Sequence, residues 1–272
     1  MKKEKPDVAS KLKGKGFLLA TPMYGGMCHA MYVTSILRLQ EMCIPLGVNF
    51  EHCFMVNESL IDRARNGLVH EFLTQSKQDY LVFIDGDIQF TPQDILTLLS
   101  LEKDVIAIPC PKKGINWPAI VEAVKLGAED PAVLAKLGGE YNFSATNEQQ
   151  VPDPAVKVYE IGTGIMMIHR RVFEKMREAF PQNSYKSDNP RHFVLGKGSN
   201  VHAYFKSEIV DGRHLSEDFY FCNKWKELGG EVWMLPMAQT VHHGSYGFQG
   251  SLSHLAELIK RSAEVRGSGV LQ

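Results

Sequence analysis

The sequence predicts an α/β protein built on an open, mostly parallel β-sheet flanked by helices. Three observations carry this. Apolar runs of strand length, such as Tyr80-Leu81-Val82-Phe83-Ile84, are continuous instead of alternating, as in a strand covered on both faces. Stretches of helical apolar spacing alternate with these runs along the chain. A well-marked helix start, Thr91-Pro92-Gln93-Asp94, follows soon after the strongest run, with a capping hydroxyl, a first-turn proline and an acid near the positive end.

In chain order, residues 1–15 are charged and expected to be loose. Residues 16–20 read as a short buried strand, ended by Thr21-Pro22-Met23-Tyr24-Gly25-Gly26. Residues 29–42 place Met31, Ile36, Leu37 and Met42 at helical spacing. Residues 48–56 suit a second strand, and 59–74 a helix with Leu60, Ala64, Leu68 and Phe72 on one face. After the run at 80–84 and the helix begun at Thr91, residues 104–109 form another buried strand. Residues 111–155 carry prolines, glycines and a polar stretch, and predict a loop-rich insertion. Strands follow at 157–160 and 164–168, then a helix over about 170–179. The polar segment 181–214 is too long for a plain connector and is expected to be functional or mobile. A helix at 216–228, a strand at 231–235 and a last helix at 253–263 complete the order. The expected organisation is a loose 1–15, one domain over 16–266 and a tail at 267–272. Within the domain, one half covers about 16–110 and a second about 111–250.

The formal net charge of the 272 residues is -1, which gives no whole-molecule field for nucleic acid. The five cysteines form no CxxC pair and sit among apolar neighbours, as reduced thiols of a cytoplasmic protein would. No segment approaches the roughly 18–20 continuous apolar residues of a membrane span.

The chemistry-bearing residues fall in three places. Asp85-Gly86-Asp87 directly follows the apolar run. Ligands of open parallel sheets bind beyond the carboxyl ends of the strands, where two carboxylates around a glycine make an oxygen-rich pocket for a hard divalent cation. The same tripeptide also suits a plain strand-ending turn. Ser216-Glu217-Asp218 opens a helix, where Ser216 serves as a cap and the acids favour the helix dipole. One of these carboxylates can instead act as a general base. Val241-His242-His243-Gly244 follows a short strand and offers imidazoles to a metal such as Mn²⁺.

These three signals, in this order, resemble a glycosyltransferase of the GT-A fold, close to family 2-like enzymes of bacteria and their phages. Ile61-Asp62-Arg63-Ala64-Arg65-Asn66 and Gly162-Thr163-Gly164-Ile165-Met166-Met167-Ile168 resemble segments of that family too. The likeness covers roughly residues 16–110 and 156–247. It implies that Asp85 and Asp87 hold Mn²⁺ or Mg²⁺, with His242 as third ligand and His243 as fallback. It implies that Thr21, Pro22, Tyr24, Arg65, Asp85 and Gly86 bind a UDP- or GDP-sugar. It also implies that Asp218 is the base of an inverting transfer, with Glu217 binding acceptor or sugar. The acceptor, whether a glycan, a small molecule or a modified nucleic acid, is not encoded in any motif.

Two other classes stay open. A nucleotidyltransferase also uses paired carboxylates and a divalent cation, although residues 21–26 lack the basic residue expected to hold a triphosphate. A non-catalytic carbohydrate-binding homologue would use aromatics such as Trp117, Tyr141 and Trp233. Basic residues between 170 and 213, including Arg171, Lys175, Lys186, Arg191, Lys197 and Lys206, are interspersed with acids and suit a solvated mixed surface.

Overall fold

Continuous apolar strands need cover on both faces, and the chain provides it in order. The computed structural model describes residues 8–137, 139–146, 154–187 and 199–245. The first half runs α1 (Val8–Leu12), β1 (Gly16–Met23), α2 (Ala30–Leu46), β2 (Asn49–Val56), α3 (Ile61–Gln75), β3 (Tyr80–Ile84), β4 (Ile88–Phe90), α4 (Pro92–Ser100) and β5 (Val105–Ala107). Next come α5 (Trp117–Lys125), α6 (Pro131–Leu137), β6 (Phe143–Ala145), β7 (Val156–Ile161), β8 (Ile165–His169), α7 (Arg170–Ala179), β9 (Ser184–Lys186) and β10 (Asn200–His202). The remainder is β11 (Glu208–Val210), β12 (Arg213–Leu215), α8 (Glu217–Glu227), β13 (Val232–Met234) and β14 (Thr240–His242).

Eight strands form one sheet in the order β2-β1-β3-β8-β5-β13-β7-β6. β1 is parallel to β2 and β3, and β13 to β5, while β8 and β7 run against their neighbours. All the other strands of the sheet therefore point one way, which makes it mostly parallel. β3 lies between β1 and β8 with every residue buried. Its alternating side chains explain the unbroken apolar run. Leu81 and Phe83 join a core with Leu68 and Phe72 of α3, Phe173 of α7 and Trp225 of α8. Val82 and Ile84 join a second core with Tyr32 and Leu39 of α2 and Leu99 of α4.

Several boundaries differ from the sequence reading. Part of the segment expected to be loose, Val8–Leu12, is a short helix. β1 continues past Ala20 to Met23. β3 pairs with it only as far as Ala20, so Pro22 sits where one side of the strand has no partner and its missing N–H leaves nothing orphaned. α2 overshoots its expected end and stops at Gly47, whose φ of 64° supplies the left-handed cap. The loop-rich stretch 111–155 also contains α5, α6 and β6 among its described residues. Asn116 caps α5 by accepting from Ala119 N at 3.1 Å, and no residue of α5 or α6 is buried, so the apolar face of Trp117, Ile120, Val121 and Val124 does not meet the core. Neither Thr91 nor Ser216 makes a side-chain cap bond. Within 181–214 the described residues pair as two hairpins, β9–β10 and β11–β12. The expected helix at 253–263 and the tail at 267–272 lie outside the described residues.

Candidate active site

β3 ends at Ile84, at the edge of the sheet where a parallel strand presents its carboxyl end. A cavity of about 420 Å³ opens there, lined by Arg65, Asp85, Thr163, Glu217, Asp218 and His242 among others. Asp85 N donates to Gly164 O at 3.0 Å, which ties the start of the acidic motif to the β7–β8 turn. Gly86 suits a close approach. The first crossover loop lies against it, with His29 N donating to Gly86 O at 2.7 Å, and a Cβ at residue 86 would stand 3.3 Å from Cys28 Cβ.

Arg65 projects from α3 into this edge and is only 3% exposed. Its Nε donates to Glu217 Oε1 at 3.3 Å and its Nη2 to Asp85 Oδ1 at 3.2 Å, while the guanidinium lies 5.3 Å from the Phe83 ring centre. Burial pulls its pKa down, but Asp85, Glu217 and Asp218 outweigh that and raise it, so the guanidinium stays charged. For Asp85, burial dominates and pushes the carboxyl up despite the Arg65 pair. Arg65 Nη1 has no hydrogen-bond partner among the described residues, and neither does the buried hydroxyl of Thr163. Orphaned polar atoms beside a cavity are what a ligand site leaves when its occupant is not counted.

Asp87 faces other partners. Its Oδ1 lies 3.3 Å from His242 Nε2, and its Oδ2 accepts from Lys113 Nζ. Burial pushes this carboxyl up, but the His242 and Lys113 hydrogen bonds outweigh it and hold the group at about 2. His242 arrives because β14 pairs antiparallel with β4, setting His242 opposite Ile88. Its Nδ1 lies 2.8 Å from Pro111 O. A carbonyl and a carboxylate both only accept, so with the two contacts made each ring nitrogen donates and the ring is the imidazolium. The hydrogen bond to Asp87 raises the His242 pKa.

Asp218 is buried at the start of α8. Its Oδ1 accepts from Ser216 Oγ and from Phe219 N at 2.8 Å, so Ser216 serves this carboxylate instead of the helix end. Its Oδ2 lies over Gly162, where a Cβ would come within 3.3 Å. The glycine keeps that oxygen uncovered towards the cavity.

Arg65, Asp85, Glu217, Asp218 and His242 therefore converge on one cavity from α3, the end of β3, the start of α8 and β14. The other expected site residues do not line it. Thr21 is fully buried with its hydroxyl bonded to that of Tyr32, Pro22 is inside β1, and Tyr24 is 69% exposed. His243 turns away, with Nε2 3.1 Å from Gln89 Oε1 and its ring stacked 3.8 Å from His29. Asp85 and Asp87 also part company, the first towards Arg65 and the second towards His242 and Lys113. Among the described residues no group of three or more His, Cys, Asp or Glu side chains is set to hold a metal. The pair Asp87 and His242 fits a divalent cation that takes few protein ligands and completes its shell with phosphate oxygens and water. Lys113 and Thr163 escaped the sequence reading as site residues. Lys113 lies in a segment without a motif, and Thr163, although inside the family-like segment 162–168, carries no assigned role there; the lodging of Gly162 and Gly164 against Asp218 and Ile88 marks its turn.

No protein-family model matches the chain, and no curated protein matches its sequence. Similar solved structures include A197 from STIV, at 15% identity and a TM-score of 0.48, covering 84% of this chain and 86% of that one. The inositol-1-phosphate CTP transferase from T. maritima matches at 10% identity and a TM-score of 0.41, covering 92% and 96%. A glycosyltransferase involved in glycosylation of the major capsid of PBCV-1 matches at 12% and 0.31, covering 90% and 99%. Glycosyl- and nucleotidyltransferases thus both occur among the neighbours. None of these TM-scores reaches one half, and none of these likenesses assigns an activity to this chain.

Proposed function

We propose that the protein transfers a sugar from a nucleotide-diphosphate sugar to an acceptor hydroxyl, using Mn²⁺ or Mg²⁺ held by Asp87 and His242. One observation carries this reading: Asp85 of the strand-end motif, a buried arginine, a helix-start carboxylate and a histidine from the far end of the described chain line one cavity, with Asp87 against that histidine. A bound cation would supply Lewis-acid stabilisation of the departing diphosphate. Arg65, held by Asp85 and Glu217, keeps its Nη1 for a phosphate or sugar oxygen. Asp218 Oδ2 takes the proton of the acceptor hydroxyl as that oxygen attacks the anomeric carbon. The bond from this carbon to the diphosphate oxygen breaks, and nucleoside diphosphate leaves with configuration inverted. In this reading residues up to about 110 serve the donor and later ones face the acceptor.

The test is nucleoside diphosphate release from a panel of UDP- and GDP-sugars, with Mn²⁺ or with chelator. Release from one donor that stops with chelator is expected. Asp218→Asn should lower transfer about 10²- to 10⁴-fold while donor binding persists. Full transfer by that variant would remove Asp218 as base. Pyrophosphate formed from a nucleoside triphosphate and a sugar phosphate would replace this reading with nucleotidyl transfer.

A further inference from the structure

Both oxygens of Asp87 are engaged: Oδ1 by His242 and Oδ2 by the Lys113 ammonium. A divalent cation held by Asp87 and His242 would sit on the carboxylate whose other oxygen holds the Lys113 ammonium, and two positive charges that close repel. His242 can stay when a cation arrives, since its Nδ1 is anchored on Pro111 O and its Nε2, giving its proton to solvent, turns from donor to ligand. Lys113 is the partner that this repulsion displaces. Its side chain is 46% exposed and ends a flexible four-carbon stem, so leaving costs little.

The path of this lysine is built into the chain. A Cβ at Gly244 would stand 2.8 Å from Lys113 Cδ and 3.3 Å from Cε, so the stem lies along bare backbone just beyond His242. Asp87 O accepts from His243 N at 2.8 Å, which fixes the acidic residue to the same strand. The backbone on both sides of the contact is thus set, and only the lysine is free to swing.

We propose that Lys113 is a stand-in for the cation, occupying Asp87 in the metal-free protein and passing to the diphosphate of the donor once the cation binds. This rests on the metal-dependent reading above. One side chain then serves two states. It compensates the Asp87 charge while the cation is away, and afterwards adds a positive charge next to the leaving group, where a second cation stabilises the same oxygens.

Opposite signs make the idea testable by binding alone. Free Mn²⁺ would be followed by electron paramagnetic resonance as it is titrated into wild type, Lys113→Met and Lys113→Arg. Inorganic pyrophosphate would then be titrated by calorimetry at saturating Mn²⁺, with circular dichroism confirming that each variant is folded. Lys113→Met should bind Mn²⁺ about two- to fivefold tighter, having lost the competitor, and pyrophosphate about tenfold weaker. Lys113→Arg should stay near wild type in both. Unchanged or weaker Mn²⁺ binding by Lys113→Met overturns the stand-in role, and unchanged pyrophosphate binding overturns the transfer to phosphate. If wild type binds neither Mn²⁺ nor pyrophosphate, the metal-dependent reading falls and takes this role with it.

Discussion

Arg65 keeps its charge at 3% exposure because carboxylates surround it. The pairing is mutual, since Asp85 and Glu217 both lean on the one guanidinium. Arg65→Met would fill the same space without charge and leave two carboxylates facing each other at a buried edge. Removing one partner of a buried ion pair costs about 3–5 kcal/mol. Denaturant unfolding of the variant should show a loss of that order, and a loss below about 1 kcal/mol would mean that the three groups are not coupled. Arg65→Lys keeps the charge but cannot reach both acids with fixed geometry, so its loss should be intermediate. At the same scale Asp218 divides its labour between two oxygens, one pinned by Ser216 and Phe219 N, the other open over Gly162.

The β9–β10 hairpin carries a polar group that matters for stability. His202 is buried, its Nδ1 lies 3.2 Å from Ser184 Oγ, and its ring centre lies 4.5 Å from that of Tyr204. Burial, helped by Arg177, pushes its pKa down from 6.5 to about 4. The folded pKa is therefore below the unfolded one. Between pH 4 and 6.5 the unfolded chain binds the extra proton, so stability is fully present above 6.5 and is lost as pH falls towards 4. Melting temperatures of wild type and His202→Asn across that range should converge on acidification, because the variant lacks this proton uptake. Parallel curves would show that the hairpin does not sense pH through His202. Other element-scale contacts have no such local sign. β14 meets β4 over three residues, yet that short ladder is what delivers His242 to Asp87.

Across the whole molecule, the cavity gathers residues from both halves of the chain, so its occupancy should be read out as global stability. A ligand that binds only the folded state adds RT ln(1 + [L]/Kd), about 2.7 kcal/mol at a hundredfold excess over Kd. Saturating Mn²⁺ should therefore raise the melting temperature, and Asp87→Asn should abolish the rise. An equal rise in both proteins would locate the metal elsewhere. No helix among the described residues is long and apolar enough to cross a membrane.

The sequence by itself determined what depends on local periodicity. It specified β3 to the residue, and placed α3, α7 and α8 within two residues of their observed ends, because apolar spacing along one segment reports directly which faces must be buried. It also picked out Asp85-Gly86-Asp87 and Ser216-Glu217-Asp218, since each motif is contiguous in the chain. Helices α5 and α6 lie in a stretch whose prolines and glycines read as loop, although Trp117, Ile120, Val121 and Val124 repeat at helical spacing along α5. Only the tertiary structure decided who meets whom. It sent Asp85 to Arg65, gave Asp87 to His242 and Lys113, and left Thr21 sealed against Tyr32. Those choices depend on which strand edges and cavity walls lie side by side after folding. Pairing across long stretches of chain is set by the packing of the whole sheet, and no short stretch of sequence contains it.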